Sequence, residues 1–548
     1  MHRKSLYGAA AALALGAGAV AGFCGPEGMP APETEDFIPA AAVEAGAEGH
    51  PRIPFGALID PAAGAAAAFK DLRPEYMNAS CVACHVNRGL DLTPPALKAA
   101  DGGPGPAYYL GGETGTTFNA TSKAFEDESP AVTAAGLTGR FKAGEILFEG
   151  NFSSDRRGRF GGLGPTYIKS SCLACHPGYG RGRRTDNFDA QYGNGYLAFV
   201  HNPDGSAVKG YTVMLQTKAV PPFVPYAKGV KITWHEFVDR YGNKYPDGTR
   251  YNAGKPTEGS LVYPTADVVE PLLPLPADYR VSLESTIGIY GTGLLDAIRD
   301  EDILAEAERQ RKMTGPVKGI PGKWITEPDG SRRLGKFTWD CSRATLANGP
   351  GANGIWNVTN VTRRDRPNLY MTPEWLAKQK ELGIDVSGLE GPQEEEMTMK
   401  DFEDFMVWHR GLAVPAARNL DNPDVRRGRE LFNRLGCAGC HKPEWKTGEY
   451  APLPAYANQV IRPYTDMLRH DMGEINKGRS RLWRTPPLWG RGLMHKAANH
   501  TDMFHDLRAR DFEEAILWHF GEGEFSREMF RRLTAEERGQ LIRFLKSL

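Results

Sequence analysis

One five-residue pattern, C-x-x-C-H, occurs three times and limits what this chain can fold into more than any other feature. The copies are Cys81-Val-Ala-Cys84-His85, Cys172-Leu-Ala-Cys175-His176 and Cys437-Ala-Gly-Cys440-His441. At this spacing two thiols reach the two vinyl groups on one porphyrin edge, and the histidine that follows offers its imidazole to the iron. A structural zinc site would combine C-x-x-C pairs into sets of four ligands, and three pairs leave one unmatched. The sequence therefore predicts three covalently bound c-type haems, with His85, His176 and His441 as proximal ligands.

Composition narrows the class of protein further. The chain has 548 residues, of which 41% are apolar, enough to fill the cores of two to four domains. The net charge is −1, and the absence of a basic excess argues against a nucleic-acid binder. The 63 glycines and 40 prolines predict many loops between modest helices.

The N-terminus resembles a secretory signal peptide over residues 1–21. His2, Arg3 and Lys4 precede a short apolar run that ends in Ala19-Val20-Ala21. That run is too short and too small in side chain to span a bilayer well, and no later stretch predicts a membrane span. Lipid attachment at Cys24 is less favoured, because Phe23 precedes it. We expect an exported, periplasmic protein.

Two similar phrases predict a duplicated architecture. Gly144-Glu-Ile-Leu-Phe148 precedes the second motif, and Gly428-Arg-Glu-Leu-Phe432 precedes the third. A helix of this kind begins a cytochrome c module, so we expect two such modules, with a long insertion at roughly 180–400. The predicted boundaries are 22–116 for a linker and N-terminal extension with the first motif, 117–400 for the first module with its insertion, and 401–548 for the C-terminal module.

Local patterns predict the secondary structure. Alternating apolar residues predict strands at 208–214 and 230–237, whereas helical periodicity predicts helices at 292–308 and 396–412. Thr534 and Glu537 form a capping-box pattern for a final helix. The expected fold is mainly α and loop-rich, with cytochrome c-like haem modules and some β-strands in the insertion.

Several phrases resemble the bacterial di-haem oxidoreductases of the peroxidase type, relatives of the di-haem cytochrome c peroxidases and, more remotely, of haem rubber oxygenases. The matching phrases run in family order from about residue 117: Gly162-Leu-Gly-Pro, Gly291-Thr-Gly-Leu-Leu-Asp-Ala-Ile298, Leu334-Gly-Lys-Phe-Thr-Trp339, Tyr464-Thr-Asp-Met-Leu-Arg-His470-Asp-Met-Gly473, Arg484-Thr-Pro-Pro-Leu-Trp-Gly490 and Glu513-Glu-Ala-Ile-Leu-Trp-His519. Two features depart from the family. The motif at Cys81 lies outside the family core, and Asp340-Cys341 replaces the usual Lys-Ala.

The resemblance implies a sixth ligand for the C-terminal haem. In the related peroxidases a His-Asp-Gly phrase precedes the distal ligand by roughly fourteen residues, and His505-Asp506 stands at that distance before His519. A histidine in place of the usual methionine would lower the potential of this haem. His519 could instead cap its helix, and His470, His505 and Met472 compete for the ligand role.

The resemblance also implies that one haem binds peroxide or oxygen while the other relays electrons, and the haem at His176 is the expected open one. Proton transfer at peroxide would need an acid or base, for which the insertion offers Glu284, Glu236 and His235. The haem at Cys81 could take Met77 or His50 as its sixth ligand and serve as an additional electron port.

These expectations together predict a periplasmic multihaem oxidoreductase, peroxidase-like, that takes electrons from a small protein such as a cytochrome c or a cupredoxin and passes them to peroxide or O2. A non-catalytic electron carrier and a maturation enzyme that oxidises a partner protein are the alternatives. The long insertion favours an enzyme, because a carrier needs only about a hundred residues per haem.

Overall fold

The structure is a computed structural model that describes residues 86–548 except 156, 314 and 474–477. The expected signal peptide and the first motif, Cys81–His85, lie outside the described residues. So do His50 and Met77, the two expected ligand candidates for the first haem, and Cys24.

Thirteen α-helices occur within the described ranges. They are α1 (Gly112–Gly115), α2 (Pro130–Ala134), α3 (Thr138–Glu149), α4 (Thr292–Asp296), α5 (Asp300–Arg311), α6 (Gly354–Thr359), α7 (Pro373–Glu381), α8 (Met399–Gly411), α9 (Pro423–Arg434), α10 (Met494–Ala497), α11 (Phe512–Leu517), α12 (Glu524–Arg531) and α13 (Ala535–Ser547). None of the helices in this part of the chain combines the length and apolarity needed to cross a bilayer.

The strands pair two by two. They are β1 (Thr116–Thr117), β2 (Thr166–Tyr167), β3 (Tyr196–His201), β4 (Lys218–Ala219), β5 (Ala227–Phe237), β6 (Leu261–Pro271), β7 (Arg280–Ser285), β8 (Trp324–Thr326), β9 (Arg332–Leu334), β10 (Val414–Pro415), β11 (Trp445–Lys446), β12 (Val460–Ile461), β13 (Arg469–Asp471) and β14 (Leu482–Arg484). The antiparallel pairs are β2–β4, β3–β7, β5–β6, β8–β9, β11–β12 and β13–β14, and the parallel pair is β1–β10.

The expectation of a mainly α fold is wrong. Of the described residues 29% are helical and 17% are in strands. The insertion contributes most of the strand, because β5 and β6 pair over eleven residues each and β3 pairs with β7. Residues 208–214, predicted as a strand, form none in the structure. The predicted helix at 292–308 is divided into α4 and α5, because Arg299 between them adopts an extended backbone.

Two helices, α3 and α8, frame the module of the second motif. They cross at Gly144, where a Cβ atom would lie 2.2 Å from the carbonyl oxygen of Asp404 and 2.7 Å from Cβ of Trp408. Only glycine permits this approach. Thr398 caps the start of α8 by accepting from the backbone N–H of Asp401, and Phe402, Phe405 and Trp408 face the core on its buried side.

The module of the third motif repeats this arrangement with α9 and α13. At their crossing, a Cβ atom on Gly428 would lie 2.0 Å from the carbonyl oxygen of Gln540 and 2.8 Å from Cβ of Phe544. The predicted capping box is confirmed, since Thr534 accepts from the N–H of Glu537 and the Glu537 side chain accepts from the N–H of Thr534.

The insertion has a hydrophobic core of its own. Buried side chains from β3, β5, β6, β7 and α7 contribute to it, and its largest fully buried members are Trp375, Tyr196 and Tyr226. The indole N–H of Trp375 donates to the carbonyl of Val224, 2.9 Å away. This separate core leaves the two helical modules to form the larger one.

Candidate haem-binding sites

The second motif forms a helical turn in which the backbone N–H of His176 donates to the carbonyl of Cys172, 3.1 Å away. His176 Nδ1 lies 3.0 Å from the carbonyl oxygen of Gly180. An imidazole whose Nδ1–H is held by a carbonyl presents Nε2 to a metal. Burial lowers the pKa of His176 to about 4, so the ring is neutral, which is the form that binds iron.

The third motif has the same geometry. The N–H of His441 donates to the carbonyl of Cys437 at 2.9 Å, and His441 Nδ1 lies 3.0 Å from the carbonyl oxygen of Tyr464. Burial lowers the pKa of His441 to about 4 as well. The four described motif cysteines form no disulfide with any described residue, which leaves both thiol pairs available for thioether bonds.

His519, the residue that the sequence predicts as the sixth ligand of the third site, lies close to His441. The two ring centres are 6.3 Å apart. Two imidazoles bound to one metal from opposite sides place their ring centres roughly 6 Å apart, because each metal–nitrogen bond is about 2 Å and each nitrogen lies about 1.2 Å from its ring centre. His519 Nδ1 lies 2.7 Å from the carbonyl oxygen of Ala515, so this ring also keeps Nε2 for a ligand.

His470, the first competitor, has no ring nitrogen to spare. Its Nε2 lies 2.7 Å from Asp466 Oδ2, and its Nδ1 lies 2.7 Å from Glu522 Oε2. Burial by itself lowers the pKa of His470, but neighbouring Cys440, Asp466 and Glu522 raise it well above its ordinary value. A protonated ring held by two carboxylates cannot bind iron.

The other two competitors are placed elsewhere. His505 stacks on Trp483, with ring centres 3.8 Å apart and planes at 10°, and its other ring contacts among the described residues are with Trp339 and Phe504. Met472 follows β13, and its backbone N–H donates to the carbonyl of Arg481. The geometry therefore favours His519 over all three.

A cluster of three buried arginines indicates whether the surroundings of the motifs suit the negatively charged propionates of a haem. Arg181, Arg484 and Arg491 are at most 4% exposed, and none forms an ion pair with a carboxylate of the described residues. Arg181 Nε and Arg491 Nη1 are buried without a hydrogen-bond partner there, and the positive charge of Arg491 acts on both other arginines. Uncompensated buried cations are costly, and the two propionates of a haem are the counter-charges that would satisfy them.

The three expected proton-transfer candidates lie in different surroundings. Glu284 is buried on β7, where Arg479 donates to both of its carboxylate oxygens; two residues later Thr286 donates to the carbonyl of Cys175 at 3.0 Å. Glu236 is exposed, and His235 Nε2 bonds Thr265 Oγ1 at 2.7 Å, both on the outer β5–β6 pair. Only Glu284 therefore adjoins the second motif, and its carboxylate is already held in an ion pair.

Sequence reasoning missed His409, at the end of α8. Its side chain is 4% exposed, and neither ring nitrogen has a hydrogen-bond partner among the described residues. Burial, and secondarily the charge of His176, lower its pKa to about 3. Its sequence context did not mark it, because a histidine at the end of an apolar helix face resembles an ordinary core residue.

Cys341, the non-family residue after Asp340, is fully buried, and its Sγ lies 3.8 Å from the carbonyl oxygen of Met467. Burial raises its pKa to about 12. This thiol is therefore protonated and sheltered.

Comparison with known protein families decides the relationship. The family model described as "Di-haem oxidoreductase, putative peroxidase" matches residues 267–548, more than half of the chain. The chain belongs to the di-haem oxidoreductase family. A search of curated proteins and a search of solved structures each give no match.

Membership in the di-haem oxidoreductases confirms the family predicted from the sequence and indicates a haem cofactor, an oxidant and an electron donor in general terms. The matched range contains the third motif and His519 but begins after the second motif. The family name counts two haems, so a third haem at His85 and the covalent attachment of all three stay predictions.

Proposed function

We propose that this protein is a periplasmic, three-haem c-type oxidoreductase that reduces a small oxidant, peroxide in the first instance, with electrons from a small donor protein. Cys81, Cys84, Cys172, Cys175, Cys437 and Cys440 would attach the haems, and His85, His176 and His441 would bind the irons. The bound haems would supply the one-electron chemistry. The signal-like N-terminus supports export.

One observation carries the proposal: the two described motif histidines have unlike surroundings. The ring of His441 lies 6.3 Å from that of His519, whereas the ring contact found for His176 among the described residues is with Phe148, at 6.2 Å, and His409 is near enough only for the charge of His176 to add to the effect of burial in lowering its pKa. A site closed by two histidines in ring contact suits electron relay, and a site whose second histidine makes no ring contact with the first leaves a coordination position for an oxidant. The oxidant would therefore bind at His176.

The chain's own residues prepare these two tasks. Gly180 and Tyr464 fix the tautomers of the proximal histidines through their carbonyls, and burial keeps both rings neutral. Arg181, the guanidinium nearest the second motif in sequence, lies between Ser285 and the carbonyl of Phe504, to both of which it donates. It is therefore placed to hold a carboxylate beside His176.

Electron paramagnetic resonance of the oxidised holoprotein tests this assignment together with peroxide turnover. We expect a high-spin signal beside low-spin signals, carbon monoxide binding to the reduced protein, and peroxide reduction with a reduced small cytochrome c as donor. A wholly low-spin spectrum, with no response to carbon monoxide or peroxide, would instead identify an electron carrier.

Mass spectrometry tests the haem count. The mature protein should carry three covalent haems, and replacing Cys172 and Cys175 by alanine should remove one of them. Cys341→Ala is the matched control, because Cys341 is a buried cysteine outside every motif, and it should leave the count at three.

A further inference from the structure

A buried tyrosine, Tyr179, lies three residues after the proximal histidine of the second motif. It is 2% exposed, and its backbone adopts a left-handed conformation with φ of 59°. This conformation costs a residue other than glycine roughly 1–2 kcal/mol, and residues held against such a cost cluster at functional sites. Contacts of the Tyr179 side chain therefore hold it in this place.

The Tyr179 hydroxyl lies between two carboxylates of α3. It donates to Glu149 Oε1 at 2.8 Å, and Glu145 Oε1 lies 3.1 Å away. The two glutamates are four residues apart and share one face of the helix. A phenol has one proton to donate, so one carboxylate accepts it and the other is a second base at the same place. Glu149 is exposed and Glu145 is half-buried, which connects the hydroxyl to solvent.

Aromatic rings join Tyr179 to the second motif. The ring of Phe148 lies 4.9 Å from that of Tyr179 and 6.2 Å from that of His176. The ring of Trp408, on α8, lies 4.4 Å from that of Phe148 and 5.9 Å from that of Tyr179. This packing gives an electron a short route between Tyr179 and a haem bound at His176.

Tyr179 is better suited to lose an electron than the neighbouring rings. Oxidation turns a phenol into a strong acid, so it becomes favourable when a base stands within hydrogen-bond reach of the proton. Glu149 is that base for Tyr179, whereas the indole N–H of Trp408 has no hydrogen-bond partner among the described residues. Burial, and secondarily the hydrogen bond to Glu149, raise the pKa of Tyr179 above its ordinary value, so the phenol keeps its proton until it is oxidised.

We propose that Tyr179 supplies one of the two electrons that peroxide takes at the His176 site, while its phenolic proton passes to Glu149. The other electron comes from the haem iron there, once the donor has reduced it. Peroxide takes both electrons and two protons from solvent, its O–O bond breaks, and two water molecules form. Tyr179 is left as a neutral radical, which a second donor electron and the proton on Glu149 return to the phenol. This inference rests on the proposed function.

The electron count explains why such a residue is useful. A small donor protein with one haem or one copper delivers one electron at a time, whereas peroxide takes two. With a single electron at hand, the O–O bond would break to water and a hydroxyl radical, which attacks the protein. A tyrosine that lends the second electron avoids that product.

Electron paramagnetic resonance tests this role on the holoprotein, which is reduced by one electron equivalent, mixed with one equivalent of hydrogen peroxide and frozen within milliseconds. We expect the narrow signal of a tyrosyl radical, and its hyperfine structure should collapse when the protein is produced with ring-deuterated tyrosine. Peroxide consumption is measured in the same samples. Consumption without a tyrosyl signal would overturn this inference and leave the proposed function standing, whereas no consumption would overturn both.

Tyr179→Phe keeps the ring and its packing and removes the hydroxyl. The tyrosyl signal should disappear, while mass spectrometry should show an unchanged haem content. Replacing Glu145 and Glu149 together by glutamine keeps hydrogen-bond acceptors and removes the bases, so the signal should weaken about tenfold or more. A tyrosyl signal that persists in Tyr179→Phe would overturn the inference even where peroxide is consumed normally.

Tyr245→Phe is the matched control. Tyr245 is also buried, and its hydroxyl donates to Glu513 at 2.8 Å, but its aromatic neighbours among the described residues are Tyr251 and Phe530. This variant should keep the signal in full. If Tyr179→Phe loses a haem, the double glutamine variant, which leaves the core unchanged, decides in its place, and an undiminished signal there would overturn the inference.

Discussion

The two helical modules of this protein share a frame and differ at the iron. In each, a glycine at a helix crossing lets a closing helix approach, at Gly144 and at Gly428. Four residues further on a phenylalanine lies beside the motif histidine: Phe148 is 6.2 Å from His176 at 52°, and Phe432 is 6.4 Å from His441 at 54°. This agreement supports a common cytochrome c-like plan for both.

The difference lies in what each module adds to that plan. The C-terminal module brings His519 to 6.3 Å from His441. The other module inserts a β-rich subdomain between its motif and its closing helix α8, and that subdomain supplies Thr286 beside Cys175. Under the proposed function these similar frames serve unlike tasks, because the segment between the motif and the closing helix differs between the two modules.

Replacing His519 by alanine should remove this difference and is expected to have the largest effect. Without the second imidazole the C-terminal iron loses one of its ligands, so one low-spin signal should become high-spin, and carbon monoxide should then bind at two sites rather than one. Electron paramagnetic resonance and carbon monoxide difference spectra measure both.

His235→Ala is the control for that experiment, because His235 lies on the outer β5–β6 pair and bonds Thr265. It should leave the spectrum unchanged. An unchanged spectrum in His519→Ala as well would show that the sixth ligand is another residue.

Alanine at either glycine of the two helix crossings should lower the stability of the protein by a similar amount if the two helix pairs are equivalent. Gly144→Ala and Gly428→Ala would each place a methyl group within about 2 Å of a backbone oxygen, and overpacking of this kind costs about 1–3 kcal/mol or more. Chemical denaturation of the holoprotein would measure the loss.

Each helix pair contains its own control. A Cβ atom on Gly139 of α3 meets nothing within 4 Å, and one on Gly539 of α13 meets only Arg543 Nη1, at 3.7 Å. Alanine at these two positions should raise stability by about 0.5–1 kcal/mol, as expected for glycine inside a helix. Equal losses at all four positions would refute the crossing argument.

The sequence was most informative where chemistry fixes spacing. Each C-x-x-C-H motif predicts its cysteines and proximal ligand, and the resemblance predicts His519, whose ring centre lies 6.3 Å from that of His441. The capping box at Thr534 was likewise readable, because both partners lie within one helical turn. These features depend on neighbours in sequence or on a fixed motif.

Features that depend on packing between distant parts of the sequence could not be predicted from it. The β content was underestimated because the pairing of β5 with β6 and of β3 with β7 joins segments separated by long loops. The arginine cluster unites residue 181 with residues 484 and 491, which are far from it in the sequence. His409 was missed because a buried histidine on an apolar helix face resembles an ordinary core residue.

The two closing helices also differ at the position occupied by His409. His409 follows Trp408, the side chain at the Gly144 crossing, and Leu545 follows Phe544, the side chain at the Gly428 crossing. The pKa of His409 is lowered to about 3 by burial, against about 6.5 in an unfolded chain. The unfolded state therefore binds a proton as the pH falls below about 6.5, while the folded state does not until about pH 3. The contribution of the neutral, buried His409 ring to the free energy of unfolding is therefore complete above about pH 6.5 and is lost as the pH falls toward 3.

Replacing His409 by leucine should consequently flatten the fall in unfolding free energy between pH 6.5 and 4, by roughly 1–3 kcal/mol over that interval. Denaturation at a series of pH values measures it. Leu545→His is the reciprocal variant and should steepen the same curve. A slope unaffected by His409→Leu would mean that this ring is protonated, or paired, in the folded holoprotein.

The smallest expected effect on stability concerns the residues that cap the first turns of the closing helices α8 and α13. Thr398 begins α8 and Thr534 begins α13, and each accepts from a backbone N–H three residues on. Replacement of such a cap by alanine costs about 0.5–2 kcal/mol of stability. The cost at Thr534 should lie toward the upper end of this range, because the Glu537 side chain also accepts from the backbone N–H of Thr534. At the other helix the Asp401 side chain accepts from the Thr398 hydroxyl instead, at 2.8 Å. Glu537→Gln keeps a hydrogen-bond acceptor and should cost less than Thr534→Ala in the same denaturation experiment. If Thr398→Ala proved the more costly of the two threonine variants, the reciprocal bond at Thr534 would contribute nothing beyond an ordinary cap, and the two modules would be held at these helix ends by the same single interaction.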